Sequence, residues 1–358
     1  MEKHYFAGNN TSKGFYNYFS FIFNPESANR IYILKGGPGV GKSSFMRKIA
    51  SKLQSKNYSV EYIHCASDNE SLDGIYIPER KIAFVDGTAP HIIDPSIPGA
   101  ADEIINLGVY LNNNQLENVK SEIIQCNKTM SLLYKSAYRF LSCAGVISEE
   151  LDAIYDSYTD YGKFSSICND VIDTIFHNKE QANSPTRGYI RKLFTEAYTA
   201  DGYINYTSSI CTDHKVWAVI GKNTNLTSAL LNRISSEASA RGYSIDCIYN
   251  ALHPEKLQHV QISDLNLMII SAAEPTDINY DEIIHLDQLT DDSKLDKYKL
   301  EIQNNKLLYE LLIKNALEKL AETKKVHSQL EVYYVDSMDF KGVDVCFDST
   351  FSSLDAHL

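Results

Sequence analysis

Laid over itself with Gly36 on Gly221, an offset of 185 residues (221 − 36), the chain matches from Ile31 to Pro90 over Val216 to Pro275 without a gap. Ser43 meets Ser228, Ile49 meets Ile234, Tyr58-Ser59 meets Tyr243-Ser244 and Leu72 meets Leu257. Upstream, Phe6, Thr11, Gly14, Asn17 and Tyr18 fall on Phe194, Thr199, Gly202, Asn205 and Tyr206. Downstream, Asp102-Glu103-Ile104-Ile105 falls on Asp281-Glu282-Ile283-Ile284, and Leu132-Leu133 on Leu311-Leu312. A repeat of this length is a whole domain copied in tandem, not a solenoid of short units. The 358 residues therefore divide into domains 1–185 and 186–358, with the join near Asn183-Ser184-Pro185-Thr186.

Within the first copy, Ile31-Tyr32-Ile33-Leu34 is a short apolar run of the buried-strand kind, and Phe45, Met46, Ile49, Ala50 and Leu53 recur at helical spacing. Between them lies Gly36-Gly37-Pro38-Gly39-Val40-Gly41-Lys42-Ser43-Ser44, the complete pattern G-x-x-x-x-G-K-[ST]. Glycines let backbone N–H groups curl around phosphate oxygens, and the positive end of the following helix points at them. Lys42 is placed for β- and γ-phosphate oxygens and Ser43 for Mg²⁺, so ATP and Mg²⁺ are the expected ligands of residues 36–44. The competing reading, a glycine turn that only joins strand to helix, gives Lys42 and Ser43 nothing to do.

Further strands are expected at Val60–His64 and Ile82–Asp86, matched by Ile245–Tyr249 and Leu267–Ser271. The alternation predicts an α/β fold: two tandem P-loop NTPase-like domains, each a mainly parallel sheet flanked by helices. Each copy ends in a long helical segment, near Asn114 to Ile147 and Ser293 to His327, whose apolar residues suit covering a sheet or pairing one helix with the other.

Ile82-Ala83-Phe84-Val85-Asp86 is an apolar strand ending in a carboxylate, expected to hold Mg²⁺ beside Ser43. After it, Thr88 and His91 come to the carboxyl edge of the sheet, where ligands of open α/β sheets lie. His91 either contacts phosphate and relays a proton, or caps a proline-shaped connector. The segment from His64 to Gly74 delivers Asp68 and Asp73 to the same edge as candidates for orienting an attacking water or acceptor hydroxyl. Its bland alternative is a solvated polar turn. Cys65 reads as small filler at a strand end.

The second copy has lost this chemistry. Lys222-Asn223-Thr224 replaces Gly37-Pro38-Gly39, Leu226-Thr227 replaces Gly41-Lys42, and Ser271 replaces Asp86. One working site is expected, with the second domain its structural or regulatory partner.

A formal charge of −12 argues against a broad nucleic-acid footprint, which wants a basic face. No apolar run reaches the roughly 18 residues of a membrane span, and Met1-Glu2-Lys3-His4-Tyr5 starts no signal peptide, which leads to a cytoplasmic expectation. Seven scattered cysteines without a C-x-x-C pair fit reduced thiols.

The duplicated unit, the loop Gly36 to Ser43, Ser71-Leu72-Asp73-Gly74, and Asp86-Gly87-Thr88-Ala89-Pro90-His91 with Asp94-Pro95 and Pro98-Gly99 resemble a bacterial family of tandem P-loop proteins described as ATPases or nucleotide kinase-like proteins. The resemblance covers nearly the whole chain and implies ATP binding through Lys42 and Ser43. The degenerate second loop departs from any mechanism needing two sites. A Mg²⁺-dependent ATPase is the first expectation. A small-molecule or nucleotide kinase is the second, set back by the lack of an arginine-rich lid. A non-hydrolysing, nucleotide-gated module that engages a protein partner through the long helices is the third. Arg47, Arg187, Arg191 and Arg233 are the candidates for an arginine finger.

Overall fold

The computed structural model describes residues 2–24, 26–89, 92–177, 179, 182 and 186–355. His91 lies outside them, as do Asn183, Ser184 and Pro185 of the join. In the first copy, β1 (Glu2–Phe6) leads into a hairpin of β2 (Gly8–Thr11) and β3 (Gly14–Asn17). Then come β4 (Arg30–Lys35), α1 (Lys42–Gln54), β5 (Val60–His64), β6 (Leu72–Ile77), β7 (Ile82–Asp86) and β8 (Asp102–Asn106). The copy closes with the short α2 (Asn113–Asn118), the long α3 (Lys120–Asp156) and α4 (Tyr161–Phe176).

The second copy retraces these steps. Its elements are β9 (Ile190–Leu193), the hairpin β10 (Glu196–Thr199) and β11 (Gly202–Asn205), a short α5 (Thr207–Cys211), β12 (Lys215–Ile220) and α6 (Thr224–Ala240). There follow β13 (Ile245–Tyr249), β14 (Leu257–Ile262), β15 (Leu267–Ala272), β16 (Glu282–His285), α7 (Asp292–Leu295), α8 (Lys299–Val335) and α9 (Phe340–Asp355).

Each copy builds a six-stranded mixed sheet in the same order, β1-β5-β6-β7-β4-β8 and β9-β13-β14-β15-β12-β16. All pairings are parallel except those of β6 and β14, which run against both neighbours. Even the irregularity in the ladder recurs, at Ile63/His64 and at Ile248/Tyr249. The polar stretch expected to be loop through Gly74 therefore enters a buried strand at Leu72. Asp and Gly are poor strand formers, so Asp73-Gly74 hid it. As the spacing predicts, α1 buries Phe45, Met46, Ile49, Ala50 and Leu53.

The two sheets meet where Phe6 and Phe194, equivalent residues of the repeat, exchange backbone hydrogen bonds of 2.8 and 2.9 Å. Beside this junction Arg191 is buried between the copies. It pairs with Glu61 of the first at 2.5 Å and with Asp246 of the second at 3.4 Å, and its guanidinium lies 5.4 Å from the ring centres of both Tyr5 and Tyr76. Arg191 is thus no arginine finger; its charge is spent inside the interface.

The long helices exchange their ends. At 1.5 Å per residue a 37-residue helix runs roughly 55 Å, far enough to leave one copy and arrive over the other. α3 and α8 pack along each other through Ala137, Leu141 and Ala144 against Ala316 and Leu320, the three alanines permitting a close approach. Beyond α3, Phe164, Cys168, Val171 and Ile175 of α4 join the core of the second sheet with Leu230, Leu231 and Ile234. Beyond α8, Val343, Phe347 and Leu354 of α9 join the core of the first with Phe45, Met46 and Ile49. A cut at 185/186 would therefore part α4 from the sheet it covers and α9 from its own. Among the described residues no helix is long and apolar enough to cross a membrane.

Candidate functional site

The loop after β4 turns through Gly39 at φ +69° and Gly41 at φ +92°, conformations in which a side chain is strained. Helix α1 then starts at Lys42, capped by Gly41. Lys42 folds back over the loop: its Nζ donates to the carbonyls of Gly36 at 2.9 Å and Gly37 at 2.8 Å, and Asp86 Oδ2 lies 3.5 Å away. Asp86 Oδ1 accepts from the backbone N–H of Thr88 at 2.8 Å and from its hydroxyl. One carboxylate oxygen thus shapes the turn while the other faces the lysine.

Ser43 has a structural duty as well. Its Oγ accepts from Leu72 N at 3.0 Å, and in the second copy Ser228 Oγ accepts from Leu257 N at the same 3.0 Å. This bond ties the N-terminal part of the helix to β6 or β14, which accounts for the serine surviving where the lysine did not.

Asp73, delivered by β6, is only 4% exposed. Burial, and then the neighbouring Asp86 carboxylate, push its carboxyl up to about 7, against the pull of Cys65 and Lys42. Burial and Asp73 in turn raise the Cys65 thiol, which keeps it protonated and a poor nucleophile. Asp68 is differently placed. Burial acts to raise its carboxyl, but bonds from Lys324 of α8 at 2.8 Å and from the Ser71 hydroxyl at 2.8 Å outweigh this and hold it low. It anchors the loop to the crossing helix.

These groups line a cleft of about 800 Å³. Every sequence-expected site residue borders it: Gly36, Gly37, Pro38, Gly39, Val40, Gly41, Lys42, Ser43, Ser44, Asp68, Asp73 and Asp86, with His91 outside the described residues. Of the four arginines named, Arg47 alone lines it; Arg233 lies 5.9 Å from the Phe164 ring instead. The remaining wall was not foreseen. Asn127, Met130 and Tyr134 come from α3, and His327, Leu330, Glu331 and Tyr334 from α8 of the other copy. Helix α8 lies directly on the loop. A methyl at Gly37 would sit 2.7 Å from Tyr334 Cε1, and one at Gly39 would sit 3.1 Å from the Glu331 carbonyl oxygen. A signal existed in the repeat, since Tyr155 of α3 and Tyr334 of α8 are equivalent positions.

The corresponding place in the second copy is closed. Helix α6 starts at Thr224, so the residues equivalent to Gly39, Val40 and Gly41 have become its first turn. None of residues 221–226 has a positive φ. Without those left-handed glycines the backbone cannot curl into a phosphate cradle.

The Asp73 carboxyl offers a test in the ligand-free protein. Its folded-state value lies above that of an unfolded aspartate, so its stabilising proton is present in acid and lost as pH rises through about 7. Asp73→Asn should raise the melting temperature by several degrees at pH 8 and by less than half as much at pH 5, where the unfolded carboxyl is already ionised and the folded one is not. A variant less stable at both pH values would mean that Asp73 serves the fold.

No family model, curated protein or solved structure compared with the chain matches it.

Proposed function

We propose that the first copy binds ATP with Mg²⁺ and cleaves its β–γ bond, as an ATPase with a single working site. The observation that supports this reading is Lys42 at the mouth of a left-handed glycine loop, its ammonium on loop carbonyls and facing Asp86. Bound phosphate oxygens would replace those carbonyls as acceptors, and the amides of residues 39–44 would share the charge. The donor set fits Mg²⁺: a hydroxyl at Ser43 and a carboxylate oxygen at Asp86 are hard ligands of the kind the ion takes. When bound, the ion neutralises charge on the β- and γ-oxygens. Asp73, poised to gain or lose a proton near neutral pH, is the group best suited to accept one from the attacking nucleophile.

The cleft also supports a second reading. Beyond the loop its wall of Asn127, Tyr134 and His327 leaves room for an acceptor, which would make the protein a small-molecule kinase. Phosphate release from Mg-ATP by the purified chain alone is the expected result. ATP loss only after a metabolite extract is added would favour the kinase, and no ATP binding at all would end both readings.

A further inference from the structure

Near the end of α3, Asp152 is only 2% exposed. Its Oδ1 accepts from the backbone N–H of Thr224 at 2.8 Å, and its Oδ2 from the Thr224 hydroxyl at 2.5 Å and from Lys256 Nζ at 2.7 Å. Thr224 is the first residue of α6 and stands where the repeat has Gly39 in the first copy. A carboxylate on the crossing helix therefore takes the backbone donor that, in the first copy, belongs to the phosphate loop, and it lies at the positive end of the helix. Lys256, which replaces Ser71, supplies from the turn before β14 the positive charge lost when Lys42 became Thr227. The other donors are also taken. Asn223 Oδ1 accepts from Asn225 N and Leu226 N at 3.0 and 3.4 Å, and Asp287 Oδ1 from Lys222 N at 2.8 Å.

Helix α8 presents the same repeat position, Glu331, to the first copy, against Gly39. Its side chain is 39% exposed, and its carboxylate lies 3.8 Å from His327 Nδ1 at the rim of the cleft.

We propose that the crossing helices carry at this position a carboxylate that competes with phosphate for the loop of the opposite copy. In the second copy Asp152 is a permanent internal ligand filling an oxyanion site. In the first, Glu331 stands beside the open loop and lowers its affinity for a triphosphate. The second copy thus limits how tightly the first holds its ligand. The Glu331 half rests on the nucleotide reading above; the Asp152 half does not.

Removing the internal ligand should uncover its site. In the full chain, Asp152→Ala is expected to melt lower than wild type, and inorganic phosphate should restore several degrees that chloride at equal ionic strength does not. Phosphate acting equally on wild type and variant would overturn the assignment. Should that variant fail to fold, Asp152→Asn keeps the shape and leaves the Lys256 ammonium, still bonded to the Thr224 hydroxyl at 2.9 Å, without its counter-charge. Its loss of stability should then largely disappear in the double variant with Lys256→Met, and full additivity of the two changes would overturn the pairing. For the first copy, Glu331→Gln should tighten Mg-ATP binding about five- to tenfold, the effect of removing one nearby like charge, and leave adenosine unaffected. If wild type binds no ATP, the nucleotide reading fails and the Asp152 half stands. If wild type binds ATP and Glu331→Gln binds it no more tightly, the Glu331 half fails alone.

Discussion

Lys42→Ala should weaken Mg-ATP binding by two to three orders of magnitude and abolish turnover. The size follows from what the ammonium does in a cleft where its side chain is only 11% exposed. It would exchange two carbonyl partners for phosphate oxygens, and charge-assisted hydrogen bonds contribute about 1.5–3 kcal/mol each. Two such bonds amount to a factor of about 10² to 10⁴ in affinity, at 1.4 kcal/mol per tenfold, and the two carbonyl bonds given up in exchange bring the expected loss to the lower half of that range. The substitution also leaves the Asp86 carboxylate without the cation 3.5 Å away, which adds repulsion toward an incoming polyphosphate. Titration calorimetry with Mg-ATP and a phosphate-release assay read the two effects separately. Affinity and turnover both equal to wild type would remove Lys42 from the site and the nucleotide reading with it. Lys42→Arg is the informative companion. It keeps the charge but is a planar fork where a point charge fits, and should recover part of the binding and little of the turnover.

What could be read in advance divides along a physical line. Local pattern carried β4, α1, β5 and β7, because a buried parallel strand is an apolar run and a covering helix has an apolar stripe. The repeat carried the equality of the two sheets, because both copies keep the same core positions. Strand β6 was hidden by Asp73 and Gly74, poor strand formers, although Leu72, Ile75 and Ile77 around them are buried and a methyl at Gly74 would sit 3.1 Å from the Phe84 carbonyl oxygen. The exchange of α4 and α9 was hidden for a different reason. An apolar stripe such as Val343, Phe347 and Leu354 says that a helix is covered, not which copy covers it. The same ignorance of partners hid the roof. His327, Glu331 and Tyr334 look like ordinary residues on a half-exposed helix until α8 is seen to lie on Gly37 and Gly39. Asp152 and Lys256 pair across 104 positions of chain, so no local pattern could join them.

Arg191→Met should cost about 3–5 kcal/mol of stability, the usual penalty for breaking a buried ion pair from one side. The arginine is the shared cation of the buried Glu61 and the partly buried Asp246, and its Nε also donates to the Ile22 carbonyl at 2.6 Å. Methionine fills much of the volume between Tyr5 and Tyr76, so the loss reports the charges and not a cavity. The pH dependence gives the signature. Burial raises the Asp246 carboxyl and Glu61 raises it further, while Arg191 holds it down. Once the arginine is removed, a folded-state value above the unfolded one means that stability is retained in acid, where the carboxyl is protonated, and lost as pH rises. The deficit should therefore be small near pH 4 and full by pH 8 in urea melts. A triple variant, Arg191→Met with Glu61→Gln and Asp246→Asn, removes the charges together and should recover most of the stability at pH 8, since neutral replacement of a whole buried ionic cluster is often tolerated. A deficit independent of pH, or a triple variant no better than the single, would show that this contact docks the copies by shape.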